Sequence, residues 1–267
     1  MGTPFWKMHG AGNDFILIDD RSCSFPDSDT RMIAALCTRR TGIGSEGLIL
    51  IRPSTIADFR MRFFNPDGGE VDMCGNGARC VSRLAYDLGI TKVDMTIETR
   101  AGLLSASIQG DSVKLMLPAP HHFQKENRLT LPGGESINYA FLNTGVPHVV
   151  IMTDALENYP VKEHGRAIRQ HADFAPEGTN VNFVASRGTG TIDVRTYERG
   201  VEDETLACGT GIVASAIAAA ALQRVAPPVT VHAASGDTLY VDFHLQADSI
   251  TQVSLTGPAV YVCTGSF

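Results

Sequence analysis

Two stretches of the chain share one pattern of turn and apolar run. GAGNDFILID, beginning at Gly10, and GVPHVVIMTD, beginning at Gly145, each place a glycine-led turn before an Ile- and Val-rich run that ends on Asp. Both predict a loop feeding a buried strand. Further on, ARCVSRLAYDLG and IVASAIAAAALQR read as helices, and the second is apolar on every side, which predicts a helix buried all round. MTIETRAGLLSASI and VTVHAASGDTLYVDF alternate apolar and polar positions across a glycine turn, the mark of paired strands with one face covered. Between the two sets lies LPAPHHFQKENRLTLPGGES, residues 117–136, where prolines and polar residues cluster. That stretch is expected to be the boundary between two halves.

The register of the halves is kept over a long distance. Asn13 precedes Cys74 by 61 positions, and His148 precedes Cys208 by 60. Each cysteine follows a strand-like stretch that closes on an aromatic and a polar residue, Phe64 and Asn65 or Tyr197 and Glu198, and each is followed by a helix. Gly102 and Gly236 both fall 28 positions past their cysteine. Landmarks in the same order at the same spacing predict an α+β fold of two pseudo-symmetric repeat domains. Each would be a largely antiparallel, barrel-like sheet around a central helix. The domains are expected at residues 1–119, carrying Cys74, and 120–257, carrying Cys208.

Composition narrows the function. A chain of 267 residues with 43% hydrophobic content can bury a real core, and its formal charge of -7 offers no basic footprint for nucleic-acid phosphates or an anionic membrane surface. A small molecule is the expected partner. The longest apolar run, residues 212–222, is too short to span a bilayer. The segment MGTPFWKMHG has neither a basic stretch followed by an apolar core nor a myristoylation pattern, so the expected location is the cytoplasm. The six cysteines form no C-x-x-C pair, no zinc-ligand spacing is present, and no P-loop or H-E-x-x-H occurs. Cys23, Cys37, Cys80 and Cys263 are expected to be packing residues.

Cys74 and Cys208 stand apart, because both lie in Cys-Gly-x-Gly directly before a helix. The first N-H groups of a helix have no intrahelical partner and carry the positive end of its dipole, which favours a thiolate. Glycines there let a carboxylate approach the backbone closely. A single such cysteine is most simply a small buried apolar residue at a helix cap. Two at equivalent repeat positions point instead to a thiol on either side of one substrate. Inverting a carbon centre needs a base on one face and an acid on the other, and two thiols can exchange those roles. Helix N-termini would stabilise the charge that develops on the carboxylate without a metal.

MHGAGNDFILID, FFNPDGGEVDMCGNGARC, TGVPH, PEGTNVNFV and YERGVEDETLACGTG together resemble the motif set of the diaminopimelate epimerase family, in order and along nearly the whole chain. The resemblance implies a cofactor-independent isomerase that interconverts LL- and meso-2,6-diaminopimelate in bacterial lysine and peptidoglycan precursor biosynthesis. It implies a site in the cleft between the two domains, a last strand at about 258–267 that rejoins the first domain, and it is compatible with a homodimer. By position, Cys74 and Cys208 match the acid/base thiols, and His148 and Glu198 the polar residues that support them. Asn13, Asn65, Asn180, Glu198 and Arg199 match substrate-binding positions. Gly75 and Asn76, with Gly209 and Thr210, match the loops that hold the reacting carboxylate. A second zwitterion at the distal end suits Arg199 and the asparagine amides, which supply a bidentate fork and both donors and acceptors. Two departures stand out: Val146 replaces the asparagine of a GNPH motif, and Glu46-Gly47 replaces Asp followed by Gly or Gln.

Other readings share parts of the pattern. A proline or hydroxyproline racemase would use both thiols but has no need of a grip on a second zwitterion. A thiol redox protein would also carry paired low-pKa cysteines, yet would exchange no carbon-bound proton. A pyridoxal phosphate racemase needs a Schiff-base lysine, and Lys7, Lys92, Lys114, Lys125 and Lys162 sit in no phosphate-binding context.

Overall fold

The structure is a computed structural model and describes residues 2–246 and 249–267. It divides into two compact units, one formed by the chain up to Met116 together with Thr256–Phe267, the other by Leu117–Leu255.

In the first unit the chain forms β1 (Pro4–Gly10), β2 (Asn13–Asp19), α1 (Thr30–Cys37), β3 (Leu48–Arg52), β4 (Phe59–Phe64), β5 (Glu70–Val71), α2 (Gly75–Asp87), β6 (Asp94–Thr99), β7 (Gly102–Gln109) and β8 (Ser112–Met116). β1 and β2 are an antiparallel hairpin whose two turn residues, Ala11 and Gly12, both take positive φ (54° and 88°). That turn matches the twist of the strands it joins. β2 runs parallel to β3, β3 is antiparallel to β4, β4 is parallel to β6, and β6, β7 and β8 form an antiparallel meander. Parallel neighbours require a crossover. Here α1 makes the first crossover and α2 the second. α2 packs on β1, β2, β7 and β8, so strands from both ends of the series reach it and the sheet curls around the helix. α1 covers the other face, where Ile33 and Cys37 pack with Ile16, Ile18, Leu48, Leu50 and Phe64.

The second unit repeats this plan. It contains β9 (His121–Thr130), β10 (Ser136–Asn143), β11 (Pro147–Met152), α3 (Val161–Arg169), β12 (Asn180–Ser186), β13 (Thr191–Glu198), β14 (Asp203–Thr205), α4 (Gly209–Ala221), β15 (Val229–Ala233), β16 (Thr238–Gln246) and β17 (Ser249–Pro258), and β17 leads back into the first unit. β10 is antiparallel to β11, β11 parallel to β12, β12 antiparallel to β13, and β13 parallel to β15, which reproduces the order and sense of β1, β2, β3, β4 and β6. α3 and α4 stand where α1 and α2 do. The last strand, β18 (Val260–Ser266), pairs with β1 as β9 pairs with β10. Each unit thus has the same added strand, supplied from before the repeat in one case and from the end of the chain in the other.

A bidentate ion pair recurs with the repeat. Arg62 meets Glu70 at 2.8 and 2.9 Å, and Arg195 meets Glu204 at 2.7 and 2.8 Å, each pinning the short strand that leads to its cysteine. The central helices differ in composition and end alike. α4 is buried from Gly211 to Ala220, and its alanines suit a helix pressed on all sides. α2 stops at Gly89 (φ 68°), beyond which the Ile90 N-H bonds back to Ala85 O at 2.9 Å.

The fold adds detail to the sequence reading and corrects it at two cysteines. The largely antiparallel sheet expected around each central helix is present; it also contains parallel pairs in each unit, and the helices α1 and α3 on its outer face were not foreseen. The polar stretch expected to be a boundary contains β9, a mostly exposed strand held by its backbone ladder to β10, which side-chain polarity does not reveal. Cys37 and Cys80 are buried, but Cys23 and Cys263 are exposed, one in a turn at φ 53° and one on β18, whose residues are all exposed. Among the described residues, no helix is long and apolar enough to cross a membrane.

Candidate functional site

Cys74 and Cys208 occupy one structural position in their respective units. Each is the N-cap of the central helix, in extended backbone conformation, with its carbonyl accepting the first intrahelical bond at 2.8 Å, from Ala78 or Ile212. The N-H groups of the two or three residues after each cysteine therefore lie at the positive end of a thirteen-residue helix. Cys74 is partly exposed and Cys208 is 7% exposed.

The glycines of the two motifs serve different needs. A methyl added at Gly77 would come within 2.8 Å of Ile49 Cδ1, and one at Gly211 within 2.3 Å of Asn182 Oδ1. Those glycines let helix and sheet approach. At Gly75 an added methyl meets nothing within 4 Å, so packing does not demand glycine there. What Gly75 leaves open is access to the backbone N-H groups of the first helical turn.

In the first unit, the β1–β2 hairpin is pressed onto the start of α2. A methyl at Gly10 would stand 2.9 Å from Asn76 O. Asn13, paired with Gly10 across the turn, is thereby brought to the Cys74 helix end. Asn76 turns its side chain inward, where Oδ1 accepts from Arg79 Nη2 at 2.9 Å, and Arg79 Nε donates to Pro258 O at 3.3 Å. Asn65 closes the β4–β5 turn through its backbone, donating to Gly69 O and accepting from Gly68 N, both at 2.9 Å. Next to Asn13, Asp14 takes a bidentate bond from Arg39 (2.7 and 3.1 Å) and a 2.8 Å ion pair from buried Lys7. Burial works against the charged form of Asp14, but those two partners outweigh it and hold the carboxyl below its usual range.

In the second unit the expected residues converge. Cys208 Sγ lies 3.4 Å from Thr210 Oγ1, and Thr144 Oγ1 donates to Thr210 O at 3.0 Å, tying the loop before β11 to the helix start. His148 is paired with Asn180 across β11 and β12. The Asn180 amide ties the start of β11 to the turn after β13: its Nδ2 donates to Pro147 O (3.1 Å), and its Oδ1 accepts from Arg199 N (2.9 Å). Glu198 accepts from Thr205 Oγ1 at 2.7 Å. Burial raises the Glu198 carboxyl above its usual range, partly offset by that hydrogen bond. His148 is fully buried, and burial, assisted by the charge of Arg199, lowers its pKa to about 3. It is neutral at ordinary pH. Gly209 is the first residue of α4, half-buried as Gly75 is.

Sequence reasoning missed Asn182, Thr196, Thr205 and Arg79. A signal for the first was present, because Asn-x-Asn in an otherwise apolar strand puts two amides on one face.

A family model described as diaminopimelate epimerase matches residues 5–122 and 140–262. A diaminopimelate epimerase of Aquifex aeolicus is 44% identical over 98% of this chain and 96% of its own, and one of Flavobacterium psychrophilum is 40% identical over 96% and 97%. Among solved structures, a phenazine biosynthesis protein of the PhzF family from Bacillus anthracis aligns at TM-score 0.76 with 18% identity, covering 100% of this chain and 99% of that one. A hydroxyproline epimerase from Agrobacterium vitis aligns at 0.70 with 18% identity, covering 98% and 91%. The structural likenesses establish the shared fold, and the sequence matches establish the kinship: the chain belongs to the diaminopimelate epimerase family of isomerases.

Proposed function

We propose that this protein interconverts LL- and meso-2,6-diaminopimelate without a cofactor, using Cys74 and Cys208 as its acid and base. The observation that carries the reading is that two cysteines at one repeat position each cap a central helix, with open space above Gly75. The names of the relatives support the substrate.

In the proposed reaction one thiolate removes the proton from the α-carbon, and the electron pair left on carbon is shared with the carboxylate. The other cysteine, as a thiol, returns a proton to the opposite face and becomes the thiolate. Backbone N-H groups of the first turns of α2 and α4, at Gly75 and Asn76 and at Gly209 and Thr210, stabilise the carboxylate as its charge grows. Neutral His148 offers a hydrogen bond but no positive charge, and Glu198, more basic than an ordinary carboxylate, suits an ammonium or a thiol proton. Arg199, Asn13, Asn65 and Asn180 hold the distal zwitterion. Asn180 does so partly through the backbone at Pro147 and Arg199 that it ties together. The domain assignment, a place in lysine and peptidoglycan precursor synthesis, a cytoplasmic location and a homodimer belong to the same proposal.

The test is proton NMR in D2O of LL-diaminopimelate with reduced protein, with proline and glutamate alongside. Loss of the α-proton signal with appearance of the meso isomer, abolished in Cys74→Ala and Cys208→Ala, is expected for diaminopimelate alone. Exchange on proline instead would move the substrate, and no exchange on any of them from folded, reduced protein would overturn the reading.

A further inference from the structure

Asn182 lies on β12 between helix α4 and the imidazole of His148, and it is wholly buried. Its side chain makes three hydrogen bonds. Nδ2 faces Val149 O at 3.0 Å and His148 Nδ1 at 3.1 Å, while Oδ1 faces Thr196 Oγ1 at 3.0 Å. The carbonyl of Val149 can only accept, so the amide atom against it must be the N-H₂ group. That group's second hydrogen then points to His148 Nδ1, which must present its lone pair. The Thr196 hydroxyl donates to Oδ1 and holds the amide in this sense.

We propose that Asn182 is the positioning residue of this site, holding His148 as the tautomer with Nδ1 unprotonated and the proton on Nε2. The inference deepens the epimerase reading and rests on it for the use made of His148. Nε2 is buried and has no hydrogen-bond partner among the described residues, so the network leaves one N-H donor unspent. A donor in that state suits an anion, either a substrate carboxylate or a thiolate. A lone pair at Nε2 would repel both. Asn182 touches no reacting atom in this account and acts only through the imidazole.

The repeat supplies a control for the view that the amide merely fills space. Beneath Gly77, the counterpart of Gly211, the first unit places Ile49 and Met61. The equivalent helix, α2, therefore packs on apolar side chains where no histidine is to be oriented. A buried amide is costly unless every bond is made, and here donors and acceptor are matched.

The experiment is a long-range ¹H–¹⁵N correlation spectrum of protein labelled with [¹⁵N]histidine, with His148 assigned by its loss in His148→Gln. In the unsubstituted protein Nδ1 is expected unprotonated and Nε2 protonated. Asn182→Asp replaces the donor by a group that accepts, so Nδ1 is expected to gain a proton, with kcat for epimerisation falling about 10²-fold and KM moving by less than about threefold. Protonated Nδ1 in the unsubstituted protein would overturn the proposal and needs no variant to fold. A folded Asn182→Asp whose Nδ1 stays unprotonated, or whose kcat is unchanged after the shift, would overturn it too. Full activity of His148→Gln would sink the underlying use of His148 instead, and the spectrum of the unsubstituted protein would still decide the tautomer.

Discussion

Substituting Gly75 by Ala separates stability from function at the start of α2. The added methyl meets no atom within 4 Å, and Gly75 is the first residue of a helix, where alanine is favoured. The expected effect on stability therefore runs from zero to a gain of about 1 kcal/mol, or at most ~4 °C in melting temperature for a chain of this size. The methyl would stand over the N-H groups proposed to hold the reacting carboxylate. Losing one such donor typically lowers kcat by about 10²–10³-fold, and the same loss is expected here. Gly211→Ala is the contrasting case. Its methyl falls 2.3 Å from Asn182 Oδ1, so it must displace a buried, hydrogen-bonded amide, with an overpacking cost of about 1–3 kcal/mol as well as lost activity. Melting followed by circular dichroism, together with α-proton exchange by NMR, reads both quantities on both variants. Gly75→Ala protein that melts like the parent and keeps its kcat/KM would refute the argument that open space at Gly75 is reserved for substrate.

Glu198→Gln is expected to lose activity but melt higher than the parent at pH 8. Burial raises the folded-state pKa of Glu198, so ionisation removes stability as pH climbs from the unfolded value of about 4.5 through that raised value, and below 4.5 the two proteins should melt alike. Asp14 works in the opposite direction. Despite burial, Arg39 and Lys7 depress its pKa, so its contribution is present above the unfolded value of 3.8 and is lost as pH falls through the depressed one. Asp14→Asn should cost about 1–3 kcal/mol at pH 7 by urea titration, with the gap narrowing on acidification. Burial pushes the Cys80 thiol up to about 12. Alkylation at pH 8 followed by mass mapping should therefore label Cys23 and Cys263 in the native protein and reach Cys80 only after unfolding.

Much of the architecture is written in local pattern. Turn glycines before apolar runs mark β2 and β11, cysteine-led helices mark α2 and α4, and equal spacings from Cys74 to Gly102 and from Cys208 to Gly236 announce the repeat. These are legible because capping, turn geometry and burial act on residues close in sequence. Polar β9 was missed, since a strand held by its backbone ladder needs no apolar side chains. The parallel pairs and the crossovers α1 and α3 were missed for a related reason: strand order depends on which distant edge is free. Among the candidate site residues, Cys74, Gly75, Cys208 and His148 could be picked out by motif. The roles of the asparagines could not. Asn76 turns inward to Arg79, Asn180 ties the start of β11, which carries His148, to the turn that carries Arg199, and Asn182 sets the imidazole. An amide both donates and accepts, so residue type alone leaves its direction undetermined. The direction is set only when the fold brings a one-way partner against it, as the carbonyl of Val149 does for Asn182.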